Sequence, residues 1–366
     1  MGNIEYLSEK EHIIEVSTYL HEIGLMARTW GNVSCRVDSN HFLITPTGIR
    51  YEDLTPDMID LVNIHDLSYD GEYEPSSETR VHAAVYSARK RAGFIIHTHQ
   101  VFASCAGVLG QKKIYTYFDD EDLTIPVVAY AKPGSKKLSE NVIHTLKKFK
   151  QSNGIILSNH GAICIGETSN EALYEAEVLE TASNNFLADV CKVDVTQGVE
   201  EKYSSHLEDG EIVFDEKDTP ERVKNIQKQI YSKRKDIKYV VHNKSEAVLT
   251  VSRRANHIRP LFDDFAQLIG MGVKVPANED EISHVIKRNV DVVFSPNDGA
   301  YCLGESEDEA RAVAQVLDKA CIAYIAVMRK GEGHYISNRD CIRLNRDYRK
   351  RYRKLADRKI SDDQKT

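Results

Sequence analysis

GFIIHTHQ, Gly93 to Gln100, and IILSNHGAICIG, Ile155 to Gly166, are the stretches from which the rest of this chain is read. The apolar residues in each form short runs of strand length, broken at one point by polar residues. Side chains at i and i+2 of a strand share one face, so His97 and His99 converge while Thr98 faces away. Asn159-His160-Gly161 interrupts the second stretch between two strands and offers a third imidazole from a distant loop. Neutral imidazole is a good zinc ligand, and three protein ligands with one open position mark a catalytic rather than a structural site. An isolated His-x-His is also compatible with nothing more than the polar end of an apolar strand.

Pro75-Ser76-Ser77-Glu78 lies just upstream, at the start of a helical pattern. It adds a carboxylate and an anion-binding helix N-terminus to the histidines. Taken alone, Glu78 is a helix-start carboxylate stabilised by the macrodipole, and Thr45-Pro46-Thr47-Gly48 is a turn between strands.

Five phrases in order change that reading. Gly31-Asn32-Val33-Ser34, Thr45-Pro46-Thr47-Gly48, Pro75-Ser76-Ser77-Glu78, His97-Thr98-His99 and Asn159-His160-Gly161 resemble the class II aldolase/adducin superfamily, over roughly residues 8–192. The resemblance implies an α/β fold, a central mixed or antiparallel sheet flanked by helices. It also implies a zinc ion, or another divalent metal, on His97, His99 and His160, with Glu78 as the proton-transfer group. Tyr115 falls where related aldolases place a proton donor for a neighbouring subunit's site. Thr29, Gly31, Asn32, Thr47, Gly48, Ser76 and Ser77 correspond to the family's phosphate cradle, where glycine admits an anion to the backbone and hydroxyls donate.

The implied reaction is zinc-dependent cleavage of a phosphorylated ketose to dihydroxyacetone phosphate and an aldehyde. Lewis-acid stabilisation of an enediolate and a carboxylate that moves the proton would carry it. Sister activities are a sugar-phosphate 4-epimerase, a dehydratase, and a non-catalytic adducin-like scaffold. Glutamate at position 78 is similar to the aldolase or dehydratase pattern, because the epimerases usually carry aspartate there. Trp30, the single tryptophan, resembles the epimerase version of its phrase, and it would narrow the site or pack beneath it.

Composition agrees with an enzyme acting on small molecules. At 366 residues the chain exceeds what one hydrophobic core usually supports. A net charge of −8 argues against a nucleic-acid footprint; the basic run Arg343 to Arg358, broken by Asp347 and Asp357, reads as a solvated or interface helix. No apolar run reaches membrane-spanning length and no signal-peptide core opens the chain. Seven scattered cysteines without a Cys-x-x-Cys pair point to reduced thiols, so a cytoplasmic location is expected. A homo-oligomer is implied by the family.

Helical periodicity marks about 8–27, opened by Ser8 and Glu11 in capping-box spacing, then 77–91, 138–149 and 170–189. Strand-like runs fall at 33–36, 42–45, 94–97, 125–130, 155–157 and 162–165. The polar, acidic stretch 193–220 reads as a linker with one hairpin. Beyond it, VVFSPNDGAYCLGESEDEARAVAQVLDKA (292–320) aligns without gaps on GIILSNHGAICIGETSNEALYEAEVLETA (154–182), and Tyr239 to His242 matches Phe94 to His97. In this copy Lys244 replaces His99 and Asp298 replaces His160, and a protonated ammonium repels a metal ion. The expected organisation is a catalytic domain at 1–192 and a degenerate partial repeat at 221–366, lacking a metal site and any counterpart of the three upstream phrases.

Overall fold

Burial on both faces is what makes the apolar runs of the sequence nearly continuous. The computed structural model describes residues 5–26, 28–193 and 196–363. They fall into two compact units, 1–190 with 351–366, and 191–350.

In the first unit the order is α1 (Leu7–Glu22), β1 (Asn32–Arg36), β2 (His41–Ile44), β3 (Asp60–Asn63), α2 (Thr79–Ala88), β4 (Phe94–Thr98), α3 (Val101–Gly107), β5 (Lys113–Phe118), β6 (Glu121–Val128), α4 (Lys136–Lys148), β7 (Gly154–Leu157), β8 (Gly161–Gly166) and α5 (Ser169–Cys191). The strands form one sheet in the order β3-β2-β1-β4-β8-β7-β6-β5. Every pairing is antiparallel except β6 with β7.

Strand parity decides what each face packs against. Ile155 and Leu157 join the core formed with α2 and α4 through Val81, Val85, Leu138 and Val142. Ile156 faces the other way, close against Gly107 of α3. Each fully buried Val or Leu contributes ~2 kcal/mol. The same parity on β4 puts Ile95 on the α2–α4 side, and His97 with it. The N-terminus of α2 therefore meets the histidine rather than the opposite layer.

Local signals fixed some element ends and misled at others. Ser135 caps α4, its Oγ accepting from the Leu138 amide, as an N-cap serine should. The Ser8–Glu11 capping box does not form: α1 starts at Leu7 after Tyr6 in a left-handed conformation with no side-chain cap, and it stops at Glu22. Strands β3 and β5 were not expected from periodicity; β5 turns Tyr115 and Tyr117 outward and buries Ile114.

The second unit contains β9 (Ser205–Glu208), β10 (Glu211–Phe214), α6 (Glu221–Lys233), β11 (Tyr239–Asn243), α7 (Glu246–Arg254), β12 (His257–Ile258), α8 (Asp263–Leu268), β13 (Val273–Lys274), α9 (Ile282–Val285), β14 (Val292–Phe294), β15 (Ala300–Gly304), α10 (Glu307–Lys330) and α11 (Asn338–Asp363), the last running on into 351–363. Its main sheet runs β10-β9-β11-β15-β14. Tyr239 pairs with Gly304 and His242 with Tyr301, the register of Phe94 with Gly166 and His97 with Ile163.

The stretch expected to be a linker contributes β9 and β10, and β9 pairs with β11 as β1 pairs with β4. Ser205 lies opposite Val240, as Ser34 lies opposite Ile95. Ser34 Oγ bonds His82 Nδ1 and the Tyr86 hydroxyl; Ser205 Oγ bonds Gln227 Oε1 and the Tyr231 hydroxyl. The copy lacks the three upstream phrases, as expected, but the stretch 193–220 does more than link the units. Counterparts of β1, β2 and α2 remain as β9, β10 and α6, because a sheet interior keeps its packing after surface loops have changed.

The seven cysteines form no disulfide. No described helix is long and apolar enough to cross a membrane.

Candidate metal centre

His97 is near the end of β4 with β1 on one side and β8 on the other: it pairs with Asn32 and with Ile163. Its Nδ1–H donates to the Ala162 carbonyl at 2.9 Å, which leaves the Nε2 lone pair free to face a cation. His160 follows Asn159, whose φ of +62° lets the turn reverse sharply between β7 and β8. Nε2 of His97 is 3.1 Å from Nε2 of His160 and 3.2 Å from Nε2 of His99. Ligand atoms of all three lie within 4.8 Å of one another, and His97 and His160 are buried.

Glu78 stands at the N-cap position of α2 without a side-chain cap bond and completes the cluster. Its Oε2 is 2.9 Å from His97 Nε2 and 3.3 Å from His160 Nε2. Its Oε1 accepts from the Gly134 amide at 3.0 Å. Gly134 has φ +68°, and a Cβ there would stand 2.5 Å from the Ser77 carbonyl, so this close approach requires glycine. Burial raises the Glu78 pKa, but the facing His160 and His97 outweigh it and hold the carboxyl well below its ordinary range. Three imidazole nitrogens brought this close together, with a carboxylate oxygen against two of them, fit a divalent cation of the zinc type.

His82, one turn beyond Glu78, is fully buried and held neutral, its pKa lowered to about 3 by burial and then by His97. Sequence reading left its role open. The Gly134 contact was missed: Pro133-Gly134-Ser135 looks like an ordinary helix entry, and nothing local announces a carboxylate from a distant helix.

The expected phosphate residues fall on three neighbouring loops. Thr45 joins the first to the second, its Oγ1 accepting from the Val33 amide. The Ser76 amide donates to the Thr45 carbonyl and the Thr47 amide to the Glu74 carbonyl, which sets Thr47 and Gly48 beside Ser76 and Ser77. Thr29, Gly31 and Asn32 lead into β1, where the Tyr51 hydroxyl bonds the carbonyls of Trp30 and Gly31. Asn32 Oδ1 is buried with no hydrogen-bond partner among the described residues. Tyr115 takes no part in the cluster: it is 64% exposed on the edge strand β5, with the Lys113 ammonium 4.5 Å above its ring.

In the second unit the same turn recurs, with Asn297 at φ +61°, but ions of opposite sign fill the post of the imidazoles. Asp298 accepts from Lys244 Nζ at 2.6 Å and from Arg222 at 2.9 Å, and His242 Nε2 bonds the Asp298 carbonyl. Among the described residues, the first unit's histidines are the one group arranged to hold a metal.

A sheet and its flanking helix that bring three imidazoles and a carboxylate together, copied further along with only one of the imidazoles kept, are a class II aldolase-type domain followed by a lapsed repeat. The chain belongs to the family described as Class II Aldolase and Adducin N-terminal domain, which matches residues 11–187 and, a second time, 188–325. It is 32% identical to the L-fuculose phosphate aldolase of Escherichia coli (strain K12) over half of this chain and 84% of that protein. It is 34% identical to the Haemophilus influenzae L-fuculose phosphate aldolase over 50% of this chain and 82% of that one. A 5-methylthioribulose-1-phosphate/5-deoxyribulose-1-phosphate aldolase of Escherichia coli O45:K1 is 31% identical over 50% of this chain and 85% of its own length.

Proposed function

We propose that the first unit is a metal-dependent carbon–carbon lyase that cleaves a phosphorylated ketose to dihydroxyacetone phosphate and an aldehyde. The observation that carries this reading is the convergence of the Nε2 atoms of His97, His99 and His160 with Glu78 Oε2. A Zn²⁺ ion, or another divalent metal, held there supplies Lewis-acid stabilisation of charge developing on the substrate's oxygens.

The chain's own groups do the rest. Glu78 takes or returns the proton on the carbon beside the carbonyl, with the Gly134 amide fixing one of its oxygens. The loops carrying Thr29, Gly31, Asn32, Thr47, Gly48, Ser76 and Ser77 hold the phosphate, and the orphaned Asn32 Oδ1 takes a donor from the sugar. Tyr115, exposed on its edge strand, serves as proton donor to the site of a second copy in a homo-oligomer. The substrate is a small sugar phosphate, with neither nucleic acid nor membrane as partner, in a cytoplasmic setting.

The relatives support this reading through their sugar-phosphate aldolase activities. One observation favours an epimerase instead: Trp30 stands next to His99, and its phrase is of epimerase type. A screen of pentulose and hexulose 1- and 5-phosphates against the metal-loaded protein tests both. Release of dihydroxyacetone phosphate is the expected result. Epimer formation without release would move the assignment to the epimerase, and bound metal with no turnover would move it to a scaffold.

A further inference from the structure

The ladder between β1 and β4 ends with Asn32 opposite His97, and Trp30 lies two residues before that post as His99 lies two beyond it. The two rings meet beyond the end of the ladder: the indole lies nearly parallel to the imidazole, at 20° with centroids 6.4 Å apart. His97 lies within the strand, whereas His99 follows the last residue of β4 and is the least buried member of the trio.

Trp30 itself is anchored from below. The Tyr51 hydroxyl bonds its carbonyl and that of Gly31, and Gly31, at φ +105°, runs so close to β4 that a Cβ would stand 2.7 Å from the His97 carbonyl. In the second copy Lys244 stands where His99 does; its amide donates to the Glu200 carbonyl.

We propose that Trp30 is a positioning residue of the metal centre, its indole holding the His99 imidazole with Nε2 turned toward His97 and so coupling the loop 29–32 to the metal. The proposal rests on the metal-centre reading above. Offset stacks of this kind bias one ring orientation by roughly three- to tenfold in population.

The test is titration of the full chain with Zn²⁺ and Co²⁺, as the unsubstituted protein and as Trp30→Ala and Trp30→Phe. Trp30→Ala should bind either ion roughly five- to tenfold more weakly, and Trp30→Phe should return to within about twofold. Trp30 is the single tryptophan, so its emission should fall stoichiometrically as Co²⁺ loads. Trp30→Ala added to His99→Ala should cost nothing more, since the stack acts through that imidazole. Equal affinity in all three proteins, further loss in the double variant, or emission indifferent to bound Co²⁺ would overturn the role of Trp30. An unsubstituted protein that binds neither ion would instead overturn the metal-centre reading, and this inference with it.

Discussion

At the scale of the residue, Glu78 is tied at both oxygens, one to the Gly134 amide and one toward His97 and His160. Glu78→Gln keeps the size and loses the proton acceptor. Solvent exchange of the prochiral hydrogen of dihydroxyacetone phosphate should then fall about 10²-fold or more, while metal analysis still finds the ion; undiminished exchange would remove Glu78 from the chemistry. His82 has a built-in control. Gln227 occupies the corresponding post between a serine and a tyrosine in the second copy, so His82→Gln should fold, with a Tm at pH 7 within roughly 4 °C of the parent, the shift expected from about 1 kcal/mol. A collapse of the melting transition would show that the two networks are not equivalent.

At the scale of the element, β4, β7, β8 and α5 were legible because apolar runs bounded by polar turns carry their own period. β3, at four residues, is too short to show one, and β5 exposes its aromatic residues, reversing the usual pattern at a sheet edge. The hairpin β9–β10 answers to the one expected within 193–220; what the sequence did not show is its pairing with β11, which is non-local. The ion cluster of the second copy yields a prediction at this scale. Asp298→Ala leaves Lys244 and Arg222 facing each other without their shared carboxylate. Because both cations are partly exposed, this should cost the second unit about 1–3 kcal/mol in a urea melt. Metal content of the protein should stay unchanged; loss of the ion would mean that the second copy takes part in holding it.

At the scale of the whole molecule, each unit buries an imidazole whose pKa is lowered: His82, to about 3, and His242, to about 4, burial being the first cause in both. A histidine depressed below its unfolded value near 6.5 contributes stability that is present above that pH and is lost as the pH falls toward the folded value. By pH 4.5 each group should have lost roughly 3 kcal/mol. Thermal melts of the metal-free protein should therefore drop between pH 6.5 and 4.5, and His82→Gln should recover part of that drop; an unchanged acid slope in the variant would show that His82 is not held neutral. The sequence by itself determined the family, the duplication, the histidine trio and the loss of two of its members in the copy, because these are carried by residue identity at fixed spacing. Only the tertiary structure decided that Gly134 clamps Glu78, that Trp30 lies against His99, and that the supposed linker completes the second sheet. Each of those is a contact between segments remote in sequence or on separate strands, fixed by strand parity and register, to which no local pattern responds.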